Sequence, residues 1–231
     1  MNRTGKNIAF LLMASQVLLS CGAHDYEDPS LQPFKVEWAA CNVGASAPEE
    51  AGTYFAWGET EGKEDYNWDN YRYATPEPKM TKYNFPDGTA GSAVLEAGDD
   101  AATVNLGNGW RMPTRADWEE LRLKGVWRKV VRGGVAGMQV SSRATGEVIV
   151  FLPAVGFYRG SVLNDAEAEF STDASGVVTW HKALCLYWTS ELWNAYCPSA
   201  YYFGLDDSGY GNFFTAYRSY GMSVRAVRDV K

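Results

Sequence analysis

The sequence predicts an α+β domain, with one or two helices packed on a twisted, mostly antiparallel sheet. Three observations lead there. One strong helix signal stands in mid-chain at Arg115–Leu123. The stretch from Leu184 to Val227 reads as short apolar runs separated by turn residues. No internal repeat or composition break marks a second domain.

The chain opens with Arg3 and Lys6 ahead of an apolar run, Ile8–Leu19, broken only by Ser15 and Gln16. That run is too short to span a bilayer and has the proportions of a signal peptide, residues 1–20. Leu18-Leu19-Ser20-Cys21 resembles the lipobox of bacterial lipoproteins, whose cysteine is acylated and becomes the new N-terminus. The resemblance implies several acyl chains on Cys21. At about 0.8 kcal/mol per buried methylene, they would hold the protein on its membrane permanently. Residues 21–33 are polar and acidic, like the surface-export stretch of Bacteroidetes lipoproteins, and read as a tether. The expectation is a lipid-anchored protein of the bacterial outer membrane, exposed at the cell surface, with residues 34–231 as its single domain.

Within that domain Phe34–Trp38 alternates apolar and polar residues and predicts the first strand. Asn42–Gly52 reads as loop and Thr53–Trp57 as a short second strand, with Thr53, Phe55 and Trp57 on one face. From Gly58 to Gly98 no period is sustained. A segment that long is either functional or held to the body by its own aromatics. A short helix is expected over Asp99–Asn105. The main helix starts from Thr114, with Asp117 three residues on as a capping box using the shorter acid, and Trp118, Leu121 and Ala116 form its expected buried stripe. Val126–Val131 and Met138–Ser142 flank a turn at Gly133-Gly134. Glu147–Leu152, apolar on both faces, is expected as the central, fully covered strand. Four more strands follow: Leu184–Ser190, Ala200–Leu205, Tyr210–Thr215 and Gly221–Val227. Asp206–Gly209 joins the second and third with hairpin chemistry.

Composition excludes several chemistries. Removing residues 1–20 lowers Lys plus Arg from 21 to 19 against 28 acidic residues, a net charge of about −9. An exported, acidic chain has no basis for nucleic-acid binding. The basic cluster Arg122, Lys124, Arg128, Lys129 and Arg132 reads as one solvated face. His24 lies in the tether and leaves His181 alone in the domain, which rules out a multi-histidine zinc site. His181 with Cys185, Cys197 and Cys41 could supply four zinc ligands, but the spacing is not a zinc pattern. A Cys185–Cys197 disulfide is the simpler reading in an oxidising compartment, leaving Cys41 as a small buried hydrophobe.

Seven stretches, in order, resemble the Fibrobacter succinogenes major paralogous domain family. They are "WAACNVGASAPEEAGTYFAWGET", "YNWDNYRY", "DDAATVN", "GWRMPTRADWEEL", "IVFLPAVGFYRG", "YWTSE" and "YGMSVRAVRD". The resemblance runs from Trp38 to Val227. It implies a C-type lectin-like fold, the scaffold of lectins, bacterial adhesin tips and formylglycine-generating enzymes. The chain departs from the family at Gly125, where a cysteine is common, and at Leu106, where tryptophan is usual. Residues 164–182 resemble an insertion.

The family carries no established chemistry, so function rests on residues. The calcium-and-sugar tripeptides of lectins of this fold do not occur here. Asp65-x-Asn67-x-Asp69 mimics the start of a calcium loop, but Asn70 replaces the glycine and Pro76 the glutamate. Cys185 and Cys197 do not reproduce a formylglycine-generating arrangement. Asp99-Asp100 and Glu119-Glu120 fit a helix cap and a helix face better than a glycosidase pair. The expected activity is therefore non-enzymatic binding, without cofactor or metal, of a glycan or a surface protein. An adhesin or fimbrial accessory subunit is the alternative, and an unrecognised enzyme is a third reading. Trp57 is expected in the core, with Glu59 and Arg111 as a buried pair. Trp68, Tyr71 and Tyr73, on the long irregular segment, are the expected ligand platform.

Overall fold

The computed structural model describes residues 27–75, 79–84, 93–164, 170–176, 178–180, 185–193, 198–205, 209 and 211–231. The signal peptide, Cys21, His181, Cys197 and most of the Asp206–Gly209 turn lie outside them. Its elements are β1 (Val36–Trp38), α1 (Ala101–Leu106), α2 (Arg115–Lys124), β2 (Gly125–Arg132), β3 (Val135–Ser142), β4 (Val148–Pro153) and β5 (Phe157–Arg159). Then follow β6 (Val162–Asn164), β7 (Phe170–Thr172), β8 (Val178–Trp180), β9 (Cys185–Leu192), β10 (Ser199–Leu205), β11 (Gly211–Tyr217) and β12 (Val227–Asp229). The class is α+β. The strands pair antiparallel in small open sheets: β1 with β12, β2–β3–β4, β5 with β6, β7 with β8, and β9–β10–β11.

Local chemistry explains the clearest elements. Thr114 and Asp117 form the expected capping box, each side chain bonding the other's backbone N–H at 3.3 and 2.7 Å. Trp118 and Leu121 are fully buried, whereas Ala116 is exposed. The β2–β3 hairpin closes through Gly133-Gly134 at φ 57° and 82°, the left-handed values that a two-residue hairpin turn requires. Asp100, not Asp99, caps α1 by accepting from the Thr103 N–H at 2.8 Å.

The covered central strand is β9 and not the stretch at Glu147–Leu152. β4 lies at the edge of its sheet, and Val148 is 54% exposed. All eight residues of β9 are buried, with a core against each face and both edges occupied. β10 pairs along one edge. Along the other, Leu192 N–H donates to Ala93 O at 2.9 Å, Leu95 N–H to Ser190 O at 2.9 Å and Trp188 N–H to Ser223 O at 3.2 Å. An apolar run announces burial on two faces, but its partners decide its place in the sheet.

The period-2 alternation of β9 and β10 feeds two cores. Cys185, Tyr187, Phe203 and Leu205 face a core around Trp118, whose ring stacks 4.3 Å from Phe203. Leu186, Trp188, Leu192 and Ala200 face another, built with Phe55, Trp57, Met222 and the alanines of α1. A third cluster, Ala56, Tyr66, Tyr71, Tyr73 and Met80, packs the irregular segment onto the body.

Two expected strands are shorter than the sequence suggests. Thr53–Trp57 makes a single bridge, Phe55 to Met222, in place of a strand. Gly221–Val227 changes partner at each step, with Gly221 bridging Tyr158, Met222 bridging Phe55 and Ser223 bridging Tyr187, before β12 joins β1. The tether also ends earlier than expected. Pro29–Leu31 forms a 3-10 turn against α2, and buried Lys124 donates to Pro33 O at 2.6 Å. Among the described residues no helix is long and apolar enough to cross a membrane.

Candidate functional site

Two of the three residues expected as a platform are interior. Tyr71 is 3% exposed; its hydroxyl donates to Trp57 O at 2.7 Å and accepts from Arg218 Nε at 2.8 Å. Tyr73 is buried and donates to Asp99 Oδ1 at 2.5 Å. Neither ring offers a face to a ligand, because hydroxyls that find acceptors inside the body carry their rings inward. Trp68 is half-buried, and its ring lies 5.7 Å from that of Tyr217.

The expected Glu59–Arg111 pair does not form. Glu59 takes Lys63 Nζ at 2.8 Å and the Arg72 N–H at 2.8 Å. Arg111 is bridged in both directions to Val227, which turns its guanidinium toward Asp229 at 2.9 Å and the α2 cap residue Asp117 at 2.7 Å. Burial raises the Asp117 carboxyl, but Arg111 and Thr114 outweigh it and leave the acid below its ordinary range.

The Cys185–Cys197 disulfide is also corrected on the Cys185 side. Cys185 is a free, fully buried thiol that donates to Leu152 O at 3.5 Å, and burial pushes its ionisation up to about 12. Cys41 is half-buried and not the buried hydrophobe expected. In the native protein Cys185 should resist a maleimide until the chain is unfolded, while Cys41 reacts slowly without denaturant. Rapid native labelling mapped to Cys185 would contradict the fold of β9.

Asp99 gathers several perturbed groups. It accepts from Tyr73, from Tyr83 at 2.6 Å and from Lys82 at 2.5 Å. Burial pushes its carboxyl up, but these three donors pull it down further, to below its ordinary value. Burial and the bond to Asp99 drive the Tyr83 phenol up to about 12. The two phenols and the ammonium are all engaged with one carboxylate, which marks a pin for the irregular segment. Asn67 is likewise committed to a local turn, its Oδ1 accepting the Asp69 N–H at 2.9 Å, and among the described residues no cluster has the makings of a metal site.

An open cavity of about 840 Å³ lies between Pro29–Gln32 and α2, where Glu119 pairs with Arg122 and Glu120 with Lys124. Lys35 and Arg143 also line it, with no carboxylate partner among the described residues, so its wall is charged. A smaller groove of about 280 Å³ at β10 and β11 has different chemistry. Leu186 and Met222, both buried, sit beneath it, and Phe157, Tyr202, Tyr217 and Tyr220 surround them. Tyr220 lies 5.7 Å from Phe157 and 5.7 Å from Tyr217, which is 42% exposed, while Tyr202 stacks on Phe214 at 5.6 Å. The register Tyr202↔Phe214 and the turn after β11, where Tyr220 N–H donates to Tyr217 O at 3.0 Å, bring these rings together.

Buried tyrosines spend their hydroxyls inside the body, whereas those of the groove, like those of half-buried Tyr158 and Tyr201, have no protein partner among the described residues. The hydroxyls of Tyr54, Tyr66, Tyr71, Tyr73, Tyr83 and Tyr187 all donate to protein acceptors. Among the described residues, those of Tyr202, Tyr217 and Tyr220 have no protein partner, and none is a sealed, unpaired polar atom. They face solvent. Burial raises the Tyr202 phenol, so it stays neutral and can donate. Five of the nine lining residues carry hydroxyls (Ser199, Tyr202, Thr215, Tyr217, Tyr220) and none carries a charge, so the groove can stack and hydrogen-bond but holds no acid or base suited to neutral pH. Sequence reasoning passed over it, although "SAYYFGL" and "NFFTAYRSYG" concentrate aromatics there. No protein-family model, curated protein or solved structure matches this chain.

Proposed function

We propose that this chain is a binding module displayed on the bacterial outer membrane, anchored through Cys21, and that it receives a saccharide in the Tyr217–Tyr220 groove. The observation that carries the reading is the trio of unpartnered hydroxyls on neighbouring rings, beside a partly exposed aromatic face. A sugar ring has an apolar face for stacking and equatorial hydroxyls for donors and acceptors, the combination this groove supplies. The family resemblance and the lectin-like scaffold it implies agree with a binding role without cofactor. The lipobox resemblance agrees with the location.

One aromatic contact is worth about 0.5–1.5 kcal/mol beyond its buried area. Tyr217→Ala should therefore weaken binding to the best-bound glycan of an array about tenfold. Since the ring is 42% exposed, melting should stay close to wild type. Unchanged array binding by a stable Tyr217→Ala protein would place the ligand elsewhere.

A second reading, an accessory subunit of a surface assembly, rests on β11. Among the described residues it pairs only with β10, its free edge carries neither Lys nor Pro, and Phe214 is 44% exposed. Such an edge accepts a partner strand readily. Stoichiometric co-purification of another surface protein, with a silent array, would favour it.

A further inference from the structure

We infer that the saccharide taken by this groove is acidic, a uronic or sialic acid whose ring stacks on Tyr217 and Tyr220 and whose carboxylate pairs with Arg159. The inference rests on the saccharide reading above. Backbone bonds fix Arg159 beside the groove. Tyr158 N–H donates to Gly221 O at 2.8 Å and Gly221 N–H returns to Tyr158 O at 3.0 Å. β5 is thus clamped along the residue that follows Tyr220. The Arg159 guanidinium lies 5.9 Å from the centroid of the Tyr220 ring.

Arg111, Arg115, Arg122, Arg132 and Arg228 each pair with a carboxylate of the chain. Among the described residues Arg159 has none, and it is exposed. Exposed Arg72, Arg128 and Arg143 also lack a carboxylate partner among the described residues, and Arg159 differs from them by its place beside the groove. In a chain with more acidic than basic residues, a guanidinium left open at the rim of an uncharged aromatic groove is suited to a charge brought by the ligand. A guanidinium binds a carboxylate through two parallel donors, and that pairing gains strength beside aromatic surface, where water is partly excluded. In uronic and sialic acids the carboxylate is bonded directly to a ring carbon. A ring seated against Tyr220 therefore carries its charge to the groove's edge, where Arg159 stands. The ring hydroxyls then meet the free hydroxyls of Tyr202, Tyr217 and Thr215.

The test uses the full chain in detergent and matched probes that differ only in charge. These are trigalacturonate and N-acetylneuraminic acid, each beside its uncharged methyl ester, titrated by calorimetry at physiological salt. At least one acid should bind about tenfold tighter than its ester. Arg159→Gln should erase that ratio and leave ester binding unchanged, and Arg128→Gln, on the exposed surface of β2, should keep it. If esters bind as well as acids, or if the ratio survives Arg159→Gln, the acidic assignment is overturned while saccharide binding stands. If neither the acids, the esters nor any neutral glycan of an array binds, the saccharide reading fails, and this inference fails with it.

Discussion

Trp57→Ala should leave the chain unfolded or close to unfolding at physiological temperature. Trp57 has no exposed surface, and its indole N–H donates to Thr189 O at 2.9 Å. The Arg218 guanidinium sits 4.9 Å above its ring, and the Tyr83 ring meets it edge-on at 5.2 Å. Its backbone is held as firmly, with Trp57 N–H donating to Arg218 O at 2.8 Å and Tyr71 donating to Trp57 O. Truncating a buried tryptophan costs about 3–5 kcal/mol, and here a buried carbonyl is orphaned as well, against a total stability of about 5–15 kcal/mol. Urea denaturation checks it directly. Trp68→Ala, removing a half-buried ring at the groove's margin, should cost distinctly less. A Trp57→Ala protein with the wild-type midpoint would mean that "TYFAWGET" is not the core segment described here.

Asp99→Ala carries the second large effect. It leaves the buried hydroxyls of Tyr73 and Tyr83 without an acceptor, each a loss of about 1–3 kcal/mol. Tyr83 adopts φ 53°, a left-handed value that a bulky residue holds only when its surroundings enforce it. Those surroundings are the Trp57 ring, Asp99 and the Glu96 N–H, which donates to the Tyr83 hydroxyl at 2.9 Å. The variant should lose roughly a third of its stability. It should also become sensitive to limited proteolysis between Tyr66 and Leu95, where the pin was. The pH dependence has a definite sign. The folded carboxyl titrates below its unfolded value of 3.8, so its contribution is complete above that value and is lost as pH falls through the lower folded value. The wild type should therefore lose more stability on acidification below that point than Asp99→Ala does. Equal acid slopes would show that Asp99 is not held as an anion by Lys82 and the two tyrosines.

The sequence alone specified several features set by residues a few positions apart. Thr114 and Asp117 make the α2 cap within one helical turn, and Gly133-Gly134 supplies the φ values of the β2–β3 turn. Alternation placed Phe203 and Leu205 on the opposite face of β10 from Tyr202, and the core place of Trp57 was expected from the signature stretch Trp57-Gly58-Glu59 of the family resemblance. Apart from Trp57, these assignments rest on geometry with periods of 2 or 3.6 residues, which the chain carries locally.

The tertiary structure decided which apolar run became the middle of a sheet, which charges met and which tyrosines were spent. β4 and β9 are both strongly apolar, but among the described residues only β9 of the two has partners on both edges, and those partners come from residues 93–95 and 223 as well as β10. Arg111 reaches Asp229, 118 positions away, and Tyr71 is fixed by Arg218, 147 positions away. A tyrosine's composition is the same whether its hydroxyl is satisfied inside the body or open at a groove. Chain folding places the acceptor, and the acceptors that bury Tyr71 and Tyr73 have no counterpart beside Tyr217 and Tyr220 among the described residues. Burial and hydrogen-bond satisfaction are properties of distant pairs, so the scaffold tyrosines and the candidate binding tyrosines became distinguishable only once the pairs were formed.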